Sequence, residues 1–347
     1  MAEAPAKPRR KFWLVLLLAV LVCAVAAGMI VADIAHELHT PLPLNEPVVV
    51  EIRQGEHFRV ALARFVAQGL LDPRQRIYLV LRARLDGSAK SVRAGEYEIE
   101  PGTSAVDLLQ LFRSGPIFLR DVQFIEGWTF AQALATLHDN PYVEHTLPGD
   151  ASARLMQTLG ESGLPAEGRF FPDTYRFAKG TADVAVMRQA YEAMRKRLAN
   201  AWSGREPGLS YQSPDAALIL ASLVEKETAV DAERRQIAGV FLRRLRLGMK
   251  LQTDPTVIYG LGERYDGRLH SRDLIADTPY NTYMHAGLPP TPICLPGEAS
   301  LQAAMHPADG NALYFVARGD GTHQFSATLE EHNAAVRRYQ LGGRHGG

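Results

Sequence analysis

The sequence predicts an α+β protein built from one N-terminal membrane-spanning helix, a small α+β module and a larger α+β domain. Three observations predict it. An apolar run of 21 residues, 12–32, stands near the start of the 347-residue chain. Over residues 48–115, short strand patterns alternate with helical ones. Beyond them, long helical patterns with clear caps are separated by strand-like and turn-rich stretches. The length is enough for two or three domains with cores of their own. Lys+Arg and Asp+Glu both number 38, so the formal net charge is zero and no basic domain points to nucleic acid. A hydrophobic share of 46% against 22% charged excludes a wholly disordered chain.

The apolar run spans roughly 30 Å as a helix, about the hydrocarbon thickness of a bilayer. Lys7, Arg9, Arg10 and Lys11 precede it, so residues 1–11 form a basic tail, while Asp33 and Glu37 follow. The basic flank predicts a cytoplasmic N-terminus, with everything beyond residue 33 on the outer face of the inner membrane. Two other readings compete. A buried core helix would carry polar residues on some face, and this run has none. A cleavable signal peptide is suggested by Ala24-Val25-Ala26, but the run exceeds the usual apolar length of about 7–15 residues. The chain is exported on either the anchor or the signal reading. Its two cysteines, Cys23 and Cys294, cannot pair if Cys23 lies in a bilayer.

Residues 33–47 form a linker ending in HTPLPLNEP, which holds three prolines. In the module 48–115, residues 48–52 read as a strand closed by Gln54-Gly55. Phe58, Leu62, Phe65 and Val66 share one face of a helix over 58–68. A second helix is read over 76–85 and a short strand at 97–99. Thr103/Ser104 then cap a helix bearing Val106, Leu109, Leu111 and Phe112, which Gly115 stops.

In the larger domain, 116–340, residues 122–126 read as a strand and 130–137 as a helix. A helix over 183–199 takes Asp183 as its N-cap, with Arg188, Arg195, Lys196 and Arg197 on its solvated side. The Gly-rich tail, 341–347, is expected to be disordered.

Ser213-Pro214 opens the most informative helix, a hydroxyl cap followed by proline at the first helical position. Its stripe of Ile219, Leu220, Leu223 and Val224 runs into Glu227, whereas Glu225 lies about 200° around the axis from it. The two carboxylates therefore cannot form a close pair. A carboxyl at the end of an apolar stripe is desolvated and its pKa rises, as a general acid requires. Spacing alone favours two solvated helix-end charges flanking Lys226. A second helix follows over 231–247. Next come loops carrying Gln252, Thr253, Asp254, Tyr259, Tyr280, Asn281 and Tyr283. Aromatic faces stack on pyranose rings, and amides and hydroxyls bond to ring hydroxyls. The same residues are also the ordinary vocabulary of turns.

The stretches ASLVEKETAV, IAGVFLRRLRLGMKLQTDPTVIYGLG, TPYNTYMHAGLPPTPI and ALYFVARGDGTHQFSATLEEHN closely resemble the endolytic murein transglycosylase, YceG-like, family. Glu167-Gly168-Arg169-Phe170-Phe171-Pro172-Asp173-Thr174-Tyr175 matches its EGxxFPDTY stretch, and the likeness runs from the anchor to about Tyr339. It implies a LysM-like fold for the small module, carried by RAGEYEI and PGTSAVDLLQLF, and a YceG-like α+β catalytic domain for 116–340. It further implies cleavage of the β-1,4 bond between N-acetylmuramic acid and N-acetylglucosamine in nascent peptidoglycan strands. Glu227, the second glutamate of EKE, would be acid and base, and the products would carry 1,6-anhydro ends. The seven loop residues named above would be subsite contacts, and Glu225 would pair with an arginine of the next helix. The reaction needs no metal and no cofactor. His306, His323 and His332 stand 17 and 9 residues apart, which matches no common zinc pattern. Penicillin-binding proteins or other synthases are the partners implied. Two alternatives stay open at this point. One is a muramidase using Asp254 or Glu225 as second carboxylate; the other is a non-catalytic glycan-binding scaffold.

Overall fold

The computed structural model describes residues 9–147 and 151–341. Most of the basic N-terminal flank and the Gly-rich end from 342 onward lie outside them. The chain divides into two compact units, one through Leu119 and one from Arg120.

The first unit opens with helix α1, Arg9–His39, long and apolar enough to cross a membrane. Strand β1 (Val48–Ile52), helices α2 (Phe58–Ala67) and α3 (Pro73–Leu85), strand β2 (Gly95–Ile99) and helix α4 (Ala105–Ser114) follow. β1 and β2 pair antiparallel, Val50 opposite Tyr97. Their inward residues Val50, Ile52, Tyr97 and Ile99 join Leu62, Phe65, Leu79, Leu108 and Phe112 in one buried core. Ser104 caps α4 as expected, in a reciprocal box with Asp107. The second helix begins three residues earlier than read. Asp72 accepts from Arg74 N, Gln75 reaches back to the cap, and Pro73 takes the first turn, where its missing N–H leaves no orphan.

The second unit carries β3 (Arg120–Gln123), α5 (Phe130–His138), β4 (Val143–Glu144), α6 (Ser152–Thr158), β5 (Thr174–Phe177), β6 (Thr181–Ala182) and α7 (Asp183–Ser203). Helices α8 (Pro214–Glu227), α9 (Asp231–Arg246), α10 (Asp254–Leu261), α11 (Ser271–Leu274) and α12 (Glu298–Met305) follow. The hairpin β7 (Tyr314–Ala317) and β8 (His323–Ser326) and helix α13 (Leu329–Val336) complete it. β3 pairs antiparallel with β5, β4 parallel with β6, and β7 antiparallel with β8. α8 is the axis of the larger core: Leu220, Leu223 and Val224 are packed with Phe241 of α9, Leu301 of α12 and Leu198 of α7.

Several readings are corrected by these contacts. The strand expected at 122–126 is set back to 120–123, with Phe124 N still donating to Asp173 O in line with that pairing. Asp183 is the first helical residue of α7, not its cap; Ala182 holds that place. Asp183 is fully buried and accepts from Thr146 N, Thr146 Oγ1 and Leu147 N. Arg197 is not simply solvated: it lies over the Phe171 ring and pairs with Glu298 at 3.1 Å. α8 is buried on nearly every side rather than along one stripe. The stretch 254–261, read as loop, is helix α10, with proline in its first turn.

Burial raises the Asp183 pKa, but the hydroxyl and amide donors outweigh it and hold the carboxyl below its ordinary value. Its contribution is therefore present above the unfolded carboxyl pKa and is lost as pH falls through the folded one. Asp183→Ala strands three amides and a hydroxyl, and should lower stability by about 3 kcal/mol at pH 7. Urea denaturation at pH 7 and pH 3 should show that difference shrinking at the lower pH.

Candidate active site

Glu227 is the last residue of α8, where Thr228 leaves helical geometry. Its carboxyl reaches a groove of about 540 Å³ in the second unit, lined also by Arg244, Gln252, Asp254, Tyr283 and His323. The opposite wall is Tyr314 and Phe315 of β7 and His332 of α13. Thr253 Oγ1 donates to Glu227 Oε1. Burial raises the Glu227 pKa, and the charge of Asp254 adds to this. The Thr253 hydroxyl and the positive charges of His323 and Arg244 pull it down, and the balance stands at about 7.

Thr253 is buried and fixed in turn: its N–H donates to Thr282 Oγ1 at 3.1 Å, and Thr256 Oγ1 lies 2.9 Å from the same hydroxyl. The preceding Gln252 has φ +51, the one positive φ outside glycine among the described residues. That left-handed conformation costs a non-glycine residue about 1–2 kcal/mol. Here it aims the exposed Gln252 side chain at the groove, while its N–H donates to Thr282 O at 3.1 Å. Asp254 opens α10 at the groove's edge and accepts from Tyr283 OH at 2.6 Å.

The remaining expected contacts lie elsewhere. Asn281 is fully buried, and its amide donates to the carbonyls of Asp273, Leu274 and Ala276 while its Oδ1 accepts from Tyr283 N. It shapes the turn that presents Tyr283. Tyr259 and Tyr280 meet edge to face at 4.8 Å, away from the groove lining. Gly260 permits this approach, since a Cβ there would lie 2.6 Å from Thr278 Oγ1. Tyr259 OH donates to Glu167 Oε2 at 3.1 Å, and Phe130 N donates to Glu167 Oε1 at 2.9 Å. Burial pushes the Glu167 pKa to about 7 against these bonds. Glu167 thus ties α10 to the start of α5 from behind the groove.

Glu225 points away from the groove, as the helical angle required. It pairs with Arg234 of the following helix at 3.7 Å and accepts from Gly297 N at 3.0 Å. His306 is far from the other two histidines in role, pairing with Glu206 at 3.5 Å.

Arg244, His323, Tyr314 and His332 also line the groove, and the sequence does not assign them to the site. Arg244 of α9 donates from Nε to Leu313 O at 2.6 Å and from Nη1 to Leu251 O at 2.7 Å. It thereby fastens both walls to α9 and lies over the Tyr314 ring. His323 is held by Glu233 through Nδ1 at 2.7 Å and through its own N–H at 2.8 Å. Tyr314 and His332 stack at 5.2 Å. The one signal for them was their place in family-like stretches, 237–262 for Arg244 and 312–333 for the other three. Nothing in their spacing showed that they would face Glu227.

A profile of the YceG-like family matches residues 50–338. The chain belongs to the YceG-like family. Among its YceG-like relatives is the endolytic murein transglycosylase of Bacillus subtilis, 39% identical over 269 residues, 72% of this chain and 74% of that one. The endolytic murein transglycosylase of Streptococcus pneumoniae D39 is 27% identical over 280 residues, 71% of this chain; the match spans half of that longer relative. A crystal structure of a YceG-like protein from Listeria monocytogenes superposes with a TM-score of 0.51 at 27% identity, covering 84% of this chain and 99% of that one. The mixed helix–strand architecture is therefore the YceG-like fold.

Proposed function

We infer that this YceG-like chain is an endolytic murein transglycosylase, a lyase of peptidoglycan glycan strands, with Glu227 as its acid and base. One observation supports this most: a single carboxyl with a pKa near 7 opens on a groove large enough for a sugar chain. Protonated Glu227 gives its proton to the glycosidic oxygen as the bond from C1 of N-acetylmuramic acid breaks. As carboxylate it then takes the proton of the 6-hydroxyl while that oxygen bonds to C1. The acid is regenerated, a 1,6-anhydro ring forms and no water is consumed. The nucleophile belongs to the substrate, so orientation within the groove replaces a second catalytic carboxylate. Gln252, Asp254 and Tyr283 border the groove and contact the sugars. Thr253, Tyr259, Tyr280 and Asn281 act on the site by holding its loops.

The muramidase alternative is weaker on this geometry. Glu225 is engaged with Arg234 away from the groove. Asp254 is fixed by Tyr283. Digestion of purified sacculi followed by mass spectrometry tests the assignment: anhydro ends on internal fragments support it, and reducing ends overturn it.

The wider organisation belongs to the same proposal. α1 anchors the chain in the inner membrane with its N-terminus in the cytoplasm and residues beyond 33 on the outer face. The module 48–115 is LysM-like and binds glycan, the domain 116–340 cuts it, and nascent strands from nearby synthases are the substrate.

The pH dependence follows from the site. Cleavage should fall as pH rises through about 7, because the acid loses its proton. The Thr253 hydroxyl favours the carboxylate, so Thr253→Val should move that limb to higher pH. A kcat/KM profile from pH 5 to 9 checks both the limb and its direction of movement.

A further inference from the structure

The first unit carries an apolar stripe that its own core does not use. On α3, Gln75, Leu79 and Ala83 face inward. One face around, Ile77, Leu81 and Leu85 are 59%, 43% and 80% exposed. They recur every four residues, so they form a continuous line along the helix. Arg82 and Arg84 flank its lower half. Exposed leucines scattered singly mean little, but an aligned stripe calls for a partner.

What lies beside it identifies that partner. α3 runs antiparallel to the outer end of α1. Tyr78 OH donates to Asp33 Oδ2 at 2.7 Å, Arg74 pairs with Glu37 at 3.6 Å, and Gln75 Nε2 donates to Thr40 O at 3.1 Å. Ile34 and Leu38 of α1 are packed into the core of the module, so helix and module form one body. Moving from Gln75 to Tyr78 along α3 means moving from Thr40 back to Asp33 along α1, toward the apolar run. At 1.5 Å per residue, Leu81 and Leu85 lie roughly 5 and 10 Å beyond the level of Tyr78. Those levels fall beside the last turns of the charge-free segment of α1, which are themselves exposed.

We propose that the C-terminal half of α3 dips into the outer leaflet beside α1, with its Ile77–Leu81–Leu85 stripe against lipid. This rests on reading α1 as the membrane span. The leucines enter the boundary between headgroups and acyl chains, Arg82 keeps its ion pair with Asp86 at 3.6 Å, and Arg84 extends its guanidinium group to lipid phosphates. The occupant is lipid: the stripe is continuous with the apolar surface of α1, and the basic flank suits headgroup phosphates. The module is thereby held against the bilayer, at the depth where new strands leave it.

The test uses the full chain in liposomes of phosphatidylethanolamine and phosphatidylglycerol. Cys23 is replaced by Ala, Cys294 is left because it is buried, and nitroxide labels are placed at Leu85→Cys or Leu81→Cys. Both positions are exposed, so neither change disturbs the core. Collision rates with oxygen and with a nickel chelate then report depth. The proposal expects oxygen to exceed nickel at both positions, and position 85 to lie deeper than 81. Nickel access at 85 in a chain that resists alkaline extraction overturns the lipid contact of α3 and leaves the anchor standing. Extraction of the chain by alkali overturns both.

Discussion

Replacing Glu227 with Gln should lower the cleavage rate by at least about a thousandfold while leaving the fold intact. The amide preserves the acceptor for Thr253 Oγ1 and the volume at the end of α8 but carries no transferable proton. The same change should alter stability in a pH-dependent way. The folded pKa of about 7 lies above the ordinary value of 4.5, so the folded state holds the proton more tightly. Stability from this group is present below about pH 4.5 and is lost as pH rises to about 7. Measured against wild type, the Gln variant should therefore gain on the order of 2–3 kcal/mol between pH 4.5 and pH 8. Thermal denaturation at both pH values, beside a sacculus digestion, tests the two halves of this expectation. Full activity in Glu227→Gln would remove the assignment; a comparable loss in Glu225→Gln alone would transfer it to Glu225.

Arg244→Leu should be the most destabilising change near the groove. Its guanidinium satisfies the carbonyls of Leu313, Leu251 and Lys250. Leaving them unpaired should cost about 3–5 kcal/mol, and Lys should not restore it, since its point charge cannot match the fork. Loss of this positive charge also lets the Glu227 pKa rise, so residual activity should extend to higher pH. Urea denaturation of the Leu and Lys variants, with a pH profile of whatever activity remains, separates the structural effect from the electrostatic one.

The sequence made α8 legible for local reasons. Ser213-Pro214 marks its start, the apolar residues fix its period, and the angle between Glu225 and Glu227 follows from helical geometry alone. That angle separated the two glutamates correctly, although the helix proved buried on most sides and Glu225 therefore needed Arg234. Local signals failed where the structure depends on distant partners. α10 is eight residues long and opens with Asp-Pro, which reads equally as a turn. Thr253 reads as a sugar contact in the sequence, yet it bonds to Thr256 and to Thr282, the latter almost thirty residues on. Glu167 is a polar residue in a Gly- and Pro-rich stretch until the fold brings Phe130 and Tyr259 to it. The wall of Tyr314, His323 and His332 comes from a hairpin and helix roughly a hundred residues after Glu227, and no periodicity encodes that meeting.

The central claim is that Glu227 keeps its proton near neutral pH. Carbon-13 NMR of the chain labelled at glutamate carboxyls measures this directly. Two carboxyls should titrate near pH 7, one vanishing in Glu227→Gln and the other in Glu167→Gln. A Glu227 carboxyl that titrates below pH 5 would contradict the account.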